Sequence, residues 1–452
     1  MTALLDAEAA PAAVSQPEPR QANAGRTLVT LAGLLATLPV DLALVALALV
    51  RRSPAPTVRP ATDFQRTILI TGGKMTKALQ LARSFHADGH RVVLVESAKY
   101  RFTGHRFSRA VSAFHCVPEP TAPGYAEAIV DIVRRERVDV LVPVSSPAAS
   151  QPDAHVGNLL AGICDVVHAD PETVRMLDDK ADFSSTAAAM GLRVPDWRRI
   201  TDPQQIEDFD FPPGRRYILK RIAYNPVGRL DLTPLSAETP ERNAAHARSL
   251  SISADDPWIL QEFIAGQEYC THGTVRMGRL QVYGCCESSA SQLNYQMVDK
   301  PEIRSWVEKF VAELGVTGQM SFDFIEAADG KVYAIECNPR THSAITMFHD
   351  HHQVAAAYLD DKHFVITPLP GARPTYWIYH EIWRLVTKAG RRNRLLTILR
   401  GKDAIFTWWD PLPYLMVHHL QIPALLVGNL RQRRGWTKID FNIGKLVEPG
   451  GD

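Results

Sequence analysis

Asp323 and Glu336 stand thirteen residues apart, and Asn338 follows two residues after Glu336. The stretch Met320-Ser321-Phe322-Asp323-Phe324-Ile325 alternates as a half-buried strand does. Residues 327–330 have turn composition and residues 331–338 read as the return strand, so the segment predicts a β-hairpin. Residues two apart on a strand share a face. Glu336 and Asn338 therefore point one way and Cys337 the other, and the hairpin can bring Asp323 alongside the first two. Two carboxylates and an amide oxygen are hard donors, suited to a Mg²⁺ ion that also takes substrate phosphates. Pro339 ends the ladder, and Arg340 adds a planar cation matched to the charge that develops on a transferring phosphoryl group.

Two lysines lie upstream. Lys180 closes Met176-Leu177-Asp178-Asp179-Lys180, ahead of a helix expected over 183–190 and ended by Gly191. Lys220 ends a short strand, 217–220. A further strand, 258–264, carries Gln261-Glu262-Phe263-Ile264, and Glu268 follows shortly after. Lysines facing phosphate oxygens at ~4 Å gain about 4 kcal/mol at intermediate dielectric. That is large beside the ~1 kcal/mol of an exposed ion pair. Together these residues make a coherent nucleotide site.

The elements that must hold them begin with a βαβ unit. Residues 67–71 form an apolar run, Gly72-Gly73 a turn, 77–85 a helix closed near Gly89, and 91–96 a second strand. A helix over 126–137 and a strand over 138–144 continue the alternation, which implies a parallel sheet with helices on both faces. Gly72-Gly73-Lys74 lacks the G-x-G-x-x-G spacing, so it reads either as a tight turn or as a helix start offered to an anion.

The chain has 452 residues, room for about three domains. Its 50 Lys+Arg nearly cancel 49 Asp+Glu, which argues against a polyanion binder. Six scattered cysteines without a C-x-x-C exclude a disulfide scaffold and a zinc ribbon, and unpaired thiols suit the cytoplasm. Residues 1–26 read as disordered, and 54–63 as a linker. Between them, residues 27–50 are apolar and followed by Arg51-Arg52, with Pro39 and Asp41 near the middle. Asp costs about 3 kcal/mol at a bilayer centre, and the Leu and Val residues return roughly 4–8 kcal/mol. The arithmetic favours insertion; the alternative is an amphipathic or self-packing helix. The last ~90 residues mix tryptophans with arginines, which suits a membrane interface or packing on the core. They contain no nucleic-acid-binding module.

The order Lys180, Lys220, Glu262-Phe263-Ile264, Glu268, Asp323 and Glu336-Cys337-Asn338-Pro339-Arg340 resembles the ATP-grasp superfamily across residues 63–360. The resemblance implies an α/β fold. A tail, apolar helix and linker (1–62) would precede a parallel-sheet pre-ATP-grasp domain (63–175), an ATP-grasp domain (176–360) and a helical, aromatic C-terminal extension (361–452). It implies that Lys180 and Lys220 contact ATP phosphates, and that Glu262 with the backbone of Phe263 and Ile264 lines the adenine. Glu268 would hold the ribose, Asp323, Glu336 and Asn338 would bind Mg²⁺, and Arg340 would assist transfer. The loop 221–229 has one glycine where the superfamily's phosphate-covering loop is glycine-rich.

Within the superfamily, Gly72-Gly73-Lys74-Met75-Thr76-Lys77, Gly104-His105-Arg106-Phe107, the segment ending in Lys180, and Glu336 through Phe348 are similar to the mycosporine-glycine synthetases. That likeness implies an ATP-dependent joining of glycine to 4-deoxygadusol, in the cytoplasm, with residues 27–50 as a contact to the inner face of a membrane. Two alternatives stand beside it. One is a ligase that couples an amino acid to a carboxylate through an acyl phosphate. The other is a membrane-attached ATP-binding scaffold, against which the full set of Asp323, Glu336, Asn338 and Arg340 argues.

Overall fold

The computed structural model describes residues 23–54, 65–223, 231–288, 294–360, 364–387 and 391–448. The tail before residue 23, most of the linker 54–63 and residues 224–229 of the loop after Lys220 lie outside the described residues.

After a long helix, α1 (Ala24–Arg51), five parallel strands form one sheet in the order β3-β2-β1-β4-β5. They are β1 (Thr67–Ile70), β2 (Arg91–Ser97), β3 (Ala113–Val117), β4 (Val140–Val142) and β5 (Asp165–Val166). Ile68, Leu69, Val92 and Val93 are all fully buried, because α2 (Thr76–Ala87) covers one face and α3 (Tyr125–Glu136) and α4 (Ser150–Leu159) the other. The strand order reverses between β1 and β4, which opens a crevice at their carboxyl ends. Gly72 turns the chain there with φ +64°, and a Cβ on it would lie 2.2 Å from the Val144 carbonyl oxygen. The backbone N–H groups that follow are already spent. Gly73 donates to Val95, Lys74 to the Glu96 carboxylate, Met75 to Gly72 and Thr76 to Asn442. The glycine pair is thus a tight turn, and no free anion nest remains at these four groups.

The chain then enters α5 (Pro171–Asp178) and α6 (Lys180–Ala189). A three-stranded antiparallel sheet follows, β6 (Trp197–Ile200), β7 (Tyr217–Arg221) and β8 (Trp258–Glu262), in the order β6-β8-β7. It packs on α7 (Gln204–Glu207) and α8 (Pro240–Ser249). A four-stranded antiparallel sheet comes next, in the order β10-β9-β12-β13. Its strands are β9 (Gly266–Arg276), β10 (Arg279–Glu287), β12 (Gly318–Ala327) and β13 (Val332–Asn338). A short β11 (Asn294–Tyr295) and α9 (Pro301–Leu314) intervene. Alternation gives this sheet two unlike faces. Phe322, Phe324 and Cys337 are buried with Phe183 of α6 and Trp306 and Phe310 of α9. Asp323 and Glu336 occupy the opposite face.

The remaining elements are α10 (Val354–Leu359), β14 (Thr375–Tyr376), α11 (Ile378–Thr387), α12 (Arg391–Arg400), β15 (Lys402–Asp403), α13 (Leu412–Met416), α14 (Ile422–Arg431) and a hairpin of β16 (Lys438–Asp440) and β17 (Lys445–Val447). Much of the aromatic extension is core. Trp377, Trp409, Tyr414 and Trp436 are buried in one cluster with α2 and β1. Buried Asp410 accepts hydrogen bonds from Arg83 Nε (2.9 Å), Ser108 Oγ (2.6 Å) and the Arg109 N–H (2.8 Å). Trp383 and Trp408 are the exceptions and face solvent.

Helix α1 docks on this extension through one stripe. Asp41 is buried in that stripe, where it accepts hydrogen bonds from Tyr379 Oη (2.5 Å), His419 Nε2 (2.7 Å) and Tyr414 Oη (3.2 Å). The arithmetic that favoured insertion charged Asp41 as a lone carboxylate in hydrocarbon. Here the chain itself satisfies it, and the helix packs on its own protein along that side. Asp41→Ala strands two hydroxyls and an imidazole, at a cost of about 1–3 kcal/mol. Thermal unfolding should show a lowered Tm, and limited proteolysis should cut near α1 first.

Candidate active site

The predicted hairpin forms, and Asp323 lies opposite Glu336 in the β12–β13 register because the pairing shifts by one residue between Phe324 and Asp323, a bulge that turns Glu336 to the Asp323 face. Asn338 Nδ2 lies 3.4 Å from Asp323 Oδ2, so all three share the face turned away from the phenylalanine core. Lys180 reaches them from the first turn of α6. Asp179 caps that helix, its carboxylate accepting from the Ala181 and Asp182 N–H groups, which breaks α5 from α6 and fixes where Lys180 starts. Lys180 Nζ stands 3.5 Å from Glu336 Oε2.

Lys220 comes from the other antiparallel sheet. Its Nζ donates to Gln261 Oε1 at 3.1 Å, and Gln261 Nε2 donates in turn to the Ile335 carbonyl of β13 at 3.2 Å. Gln261 thereby ties the three-stranded sheet to the four-stranded one, with the two lysines and two carboxylates between them. Gln261 is a residue the motif reading passed over. It was read only as part of the strand 258–264, and its signal was a polar residue directly after the apolar run Trp258-Ile259-Leu260.

The charges act on one another. Burial raises the Asp323 carboxyl well above the ordinary carboxylate range, and the neighbouring Glu336 raises it further. Burial would raise Glu336 too, but Lys180, the hydrogen bond with Asp323, Lys220 and Arg340 outweigh it and hold it at about 2. The surrounding cations thus favour the ionised form at Glu336, while burial and Glu336 disfavour it at Asp323. Burial lowers the Lys220 ammonium, with Glu336 opposing that shift and Lys180 adding to it.

Arg340 sits where three elements meet. Its Nη1 donates to Asp178 Oδ1 of α5 (3.0 Å) and to Ser150 Oγ of α4 (3.4 Å), and its Nη2 donates to Asn338 Oδ1. The Asn338 amide therefore gives its nitrogen to Asp323 and its oxygen to Arg340. The donor set of Asp323, Glu336 and Asn338 fits Mg²⁺ by chemistry. The Asn338 amide would have to turn over to offer oxygen beside the carboxylates. Among the described residues no three His, Cys, Asp or Glu converge as a metal cage, so an ion here would draw its other ligands from phosphates or water.

The remaining expected contacts are arranged less simply. Glu268, on β9, accepts from Ser288 Oγ at 2.9 Å and contributes to the field at Asp323 and Lys220. Glu262 stands opposite Tyr217 in the ladder, on the face away from Lys220 and Gln261. Its carboxylate lies 3.6 Å from Arg215 Nε. The Phe263 N–H is spent on the Arg216 carbonyl at 2.7 Å. Arg276 donates to the Tyr358 carbonyl and to Asp165.

A polar seam lies beneath Arg340. Lys77 of α2 donates to the Thr341 carbonyl (2.5 Å) and the Ser145 carbonyl (3.3 Å), almost wholly out of solvent. His272 Nδ1 accepts from the His342 N–H, and Tyr358 and Thr341 both donate to Gln319 Oε1. Burial first, then His342 and Lys77, push the His272 imidazole down to about 3, so it is neutral. Burial, then Arg340 and Lys74, push the Lys77 ammonium down to about 7. Between pH 7 and pH 10.5 the unfolded chain binds a proton at Lys77 that the folded chain does not. Stability from this group therefore rises with pH across that window, by up to about 1.4 kcal/mol per pH unit. Lys77→Met should remove that rise, read as the difference in Tm between variant and parent from pH 6 to pH 9.

No family model matches the sequence, and no curated protein does. Solved structures do match. Campylobacter jejuni biotin carboxylase in its β,γ-ATP complex superposes with a TM-score of 0.52 at 16% identity, over 66% of this chain and 72% of that one. Staphylococcus aureus N5-carboxyaminoimidazole synthetase complexed with ADP gives 0.51 at 15% identity, over 69% and 81%. The biotin carboxylase domain of Hydrogenobacter thermophilus 2-oxoglutarate carboxylase, solved with MgADP, ADP and bicarbonate, gives 0.50 at 15% identity, over 67% and 72%. At such identities the likeness is one of fold.

Proposed function

We propose that this chain, which has the ATP-grasp fold of those structures, is an ATP- and Mg²⁺-dependent carbon–nitrogen ligase. The observation that carries the reading is the pairing of Lys180 with Glu336 opposite Asp323, with Lys220 held to the same strand through Gln261. Cations from two elements face an acidic hairpin across the gap between two sheets. That suits a triphosphate, whose transfer needs positioning and charge neutralisation more than covalent protein chemistry.

In this proposal Lys180 and Lys220 hold phosphate oxygens, and Glu268 holds the ribose. Glu262, Phe263 and Ile264 border the adenine, where the Ile264 N–H rather than that of Phe263 would meet the base. Asp323, Glu336 and Asn338 hold Mg²⁺, which when bound neutralises charge on the phosphates. Arg340 stabilises the transferring group. The division at residues 62, 175 and 360 belongs to the same proposal. The acceptor binds in the crevice between β1 and β4, lined by Lys74, Glu96, Ser146 and Asp153 and joined to Arg340 through Ser150.

The finer proposal joins glycine to 4-deoxygadusol. It rests on the sequence motifs shared with mycosporine-glycine synthetases. The enolate oxygen of the acceptor attacks the γ-phosphorus and ADP leaves. The glycine amine then adds to the ring carbon that bears the phosphorylated oxygen, phosphate departs, and mycosporine-glycine remains. Coupling of an amino acid to a carboxylate through an acyl phosphate is the alternative. The reaction would proceed in the cytoplasm, with residues 27–50 touching a membrane. Mass analysis of products tests the choice. Mycosporine-glycine formed with ADP supports the first reading; ADP release only with carboxylate acceptors moves the assignment to the second. ATP binding without ADP release from any substrate set would leave a scaffold.

A further inference from the structure

The stripe of α1 that carries Asp41 is docked, and the rest of that helix is not. Val29, Val40 and Val50 are 73%, 70% and 79% exposed, and Leu35 and Leu47 are exposed with them. The apolar surface does not stop at α1. The Thr37 hydroxyl lies 2.8 Å from Tyr379 Oη, and one turn further along α11 Ile382 and Trp383 face solvent. Helix α12 packs on α11 and exposes Leu395 and Leu399. At the far end of α1 the Arg51 guanidinium lies 5.0 Å from the Trp408 ring. Three helices and one tryptophan, on elements that touch one another, thus leave large apolar side chains exposed, as interaction faces do.

Charge says what covers it. Among the described residues of α1, α11, α12, α14 and the turn after α14, the acids are Asp41 and Glu381, both buried and bonded. The exposed charged residues there are basic, among them Arg51, Arg52, Arg392, Arg400, Arg431 and Arg433. The chain as a whole is only +1, so the positive charge is local to this side. An occupant must be both apolar and anionic. A second copy meeting this face two-fold would set arginines against arginines.

We propose that α1, α11, α12 and Trp408 form one face that lies in the plane of an anionic lipid bilayer, with α1 immersed along its length and not crossing. This rests on the membrane contact proposed above and is independent of the ligase chemistry. Crossing would pull Asp41 from Tyr379, Tyr414 and His419 and strip the docked stripe of α1; lying flat keeps those bonds. The two exposed tryptophans then sit at headgroup depth, where indole rings prefer to be.

The test uses the full chain with vesicles of phosphatidylcholine alone or with phosphatidylglycerol. Binding to the anionic vesicles should be roughly tenfold tighter at low salt and weaken as salt rises. Lipids brominated near the headgroup should quench tryptophan fluorescence more than lipids brominated at the bilayer centre. The double variant Leu35→Ser, Val40→Ser and the single variant Trp383→Ser should each weaken binding roughly tenfold, with lipid-free ADP release and Tm unchanged. Stronger quenching from the bilayer centre, with resistance to alkaline extraction, would overturn the in-plane geometry while keeping the membrane contact. Failure to bind either vesicle would overturn both. A dimer that the double variant dissociates would then name a second copy as the occupant. ADP release measured in the same samples reports on the ligase reading separately.

Discussion

Glu336→Ala lowers turnover by about 10²–10³-fold or more, read as substrate-dependent ADP release at saturating ATP. Glu336 faces Asp323 across the ladder, stands 3.5 Å from Lys180, and is kept ionised at about 2 by the cations around it. Of the facing pair it is therefore the carboxylate whose ionised form the surrounding cations favour. Removing it takes away a proposed metal ligand and the carboxylate beside Lys180, leaving Glu268 and Asp323 as the acids near Lys220. The fold should largely survive, since β13 keeps its ladder to β12 and Cys337 keeps its place among the phenylalanines. A Tm close to the parent alongside the lost turnover separates chemistry from collapse. Undiminished turnover in Glu336→Ala would remove the metal assignment.

That the hairpin was legible beforehand has a physical basis. A two-residue alternation fixes that Glu336 and Asn338 share a face. Counting back from the turn would set Asp323 opposite Ile335, and the register shift between Asp323 and Phe324 is what brings it opposite Glu336. Lys180 and Lys220 were legible as cations near element ends, and the Asp179 cap shows why the first begins a helix. Gln261 was not, because its role is a cross-sheet bond to a backbone carbonyl seventy-four residues away. Glu262 was legible as a residue type, but its neighbours Arg215 and Asp196 come from segments that no local spacing connects to it.

The apolar ends of the chain were ambiguous for a different reason. A tryptophan-rich, arginine-rich segment has the same composition whether it packs inward or faces lipid. Here it packs inward at Trp377 and Trp436, which are buried, and leaves Trp383 exposed. The decisive partners of Asp41 lie more than 330 residues away in sequence, at Tyr379, Tyr414 and His419. Insertion arithmetic treats a helix as if it were alone, and this helix is not alone on its polar side.

Arg340→Lys should cost roughly 10²-fold in kcat, with a smaller change in KM for ATP, although the charge is kept. The guanidinium fork satisfies three partners at once: Asp178 on α5, Ser150 on α4 and Asn338 on β13. Those partners belong to the helix before Lys180, the parallel-sheet unit and the acidic hairpin. One planar group thereby ties the crevice proposed for the acceptor to the hairpin proposed for the phosphates. A lysine carries the same charge at a point and cannot span the three. If charge near the phosphates were all that Arg340 supplied, the lysine variant would keep most of its turnover and Arg340→Ala would lose it. If alignment matters as the geometry implies, both variants lose kcat to a similar degree, and a Tm comparison shows how much of the loss in the alanine variant comes from stranding Asp178. Equal kcat in the lysine variant and the parent would assign Arg340 to electrostatics alone and detach the crevice from the transfer step.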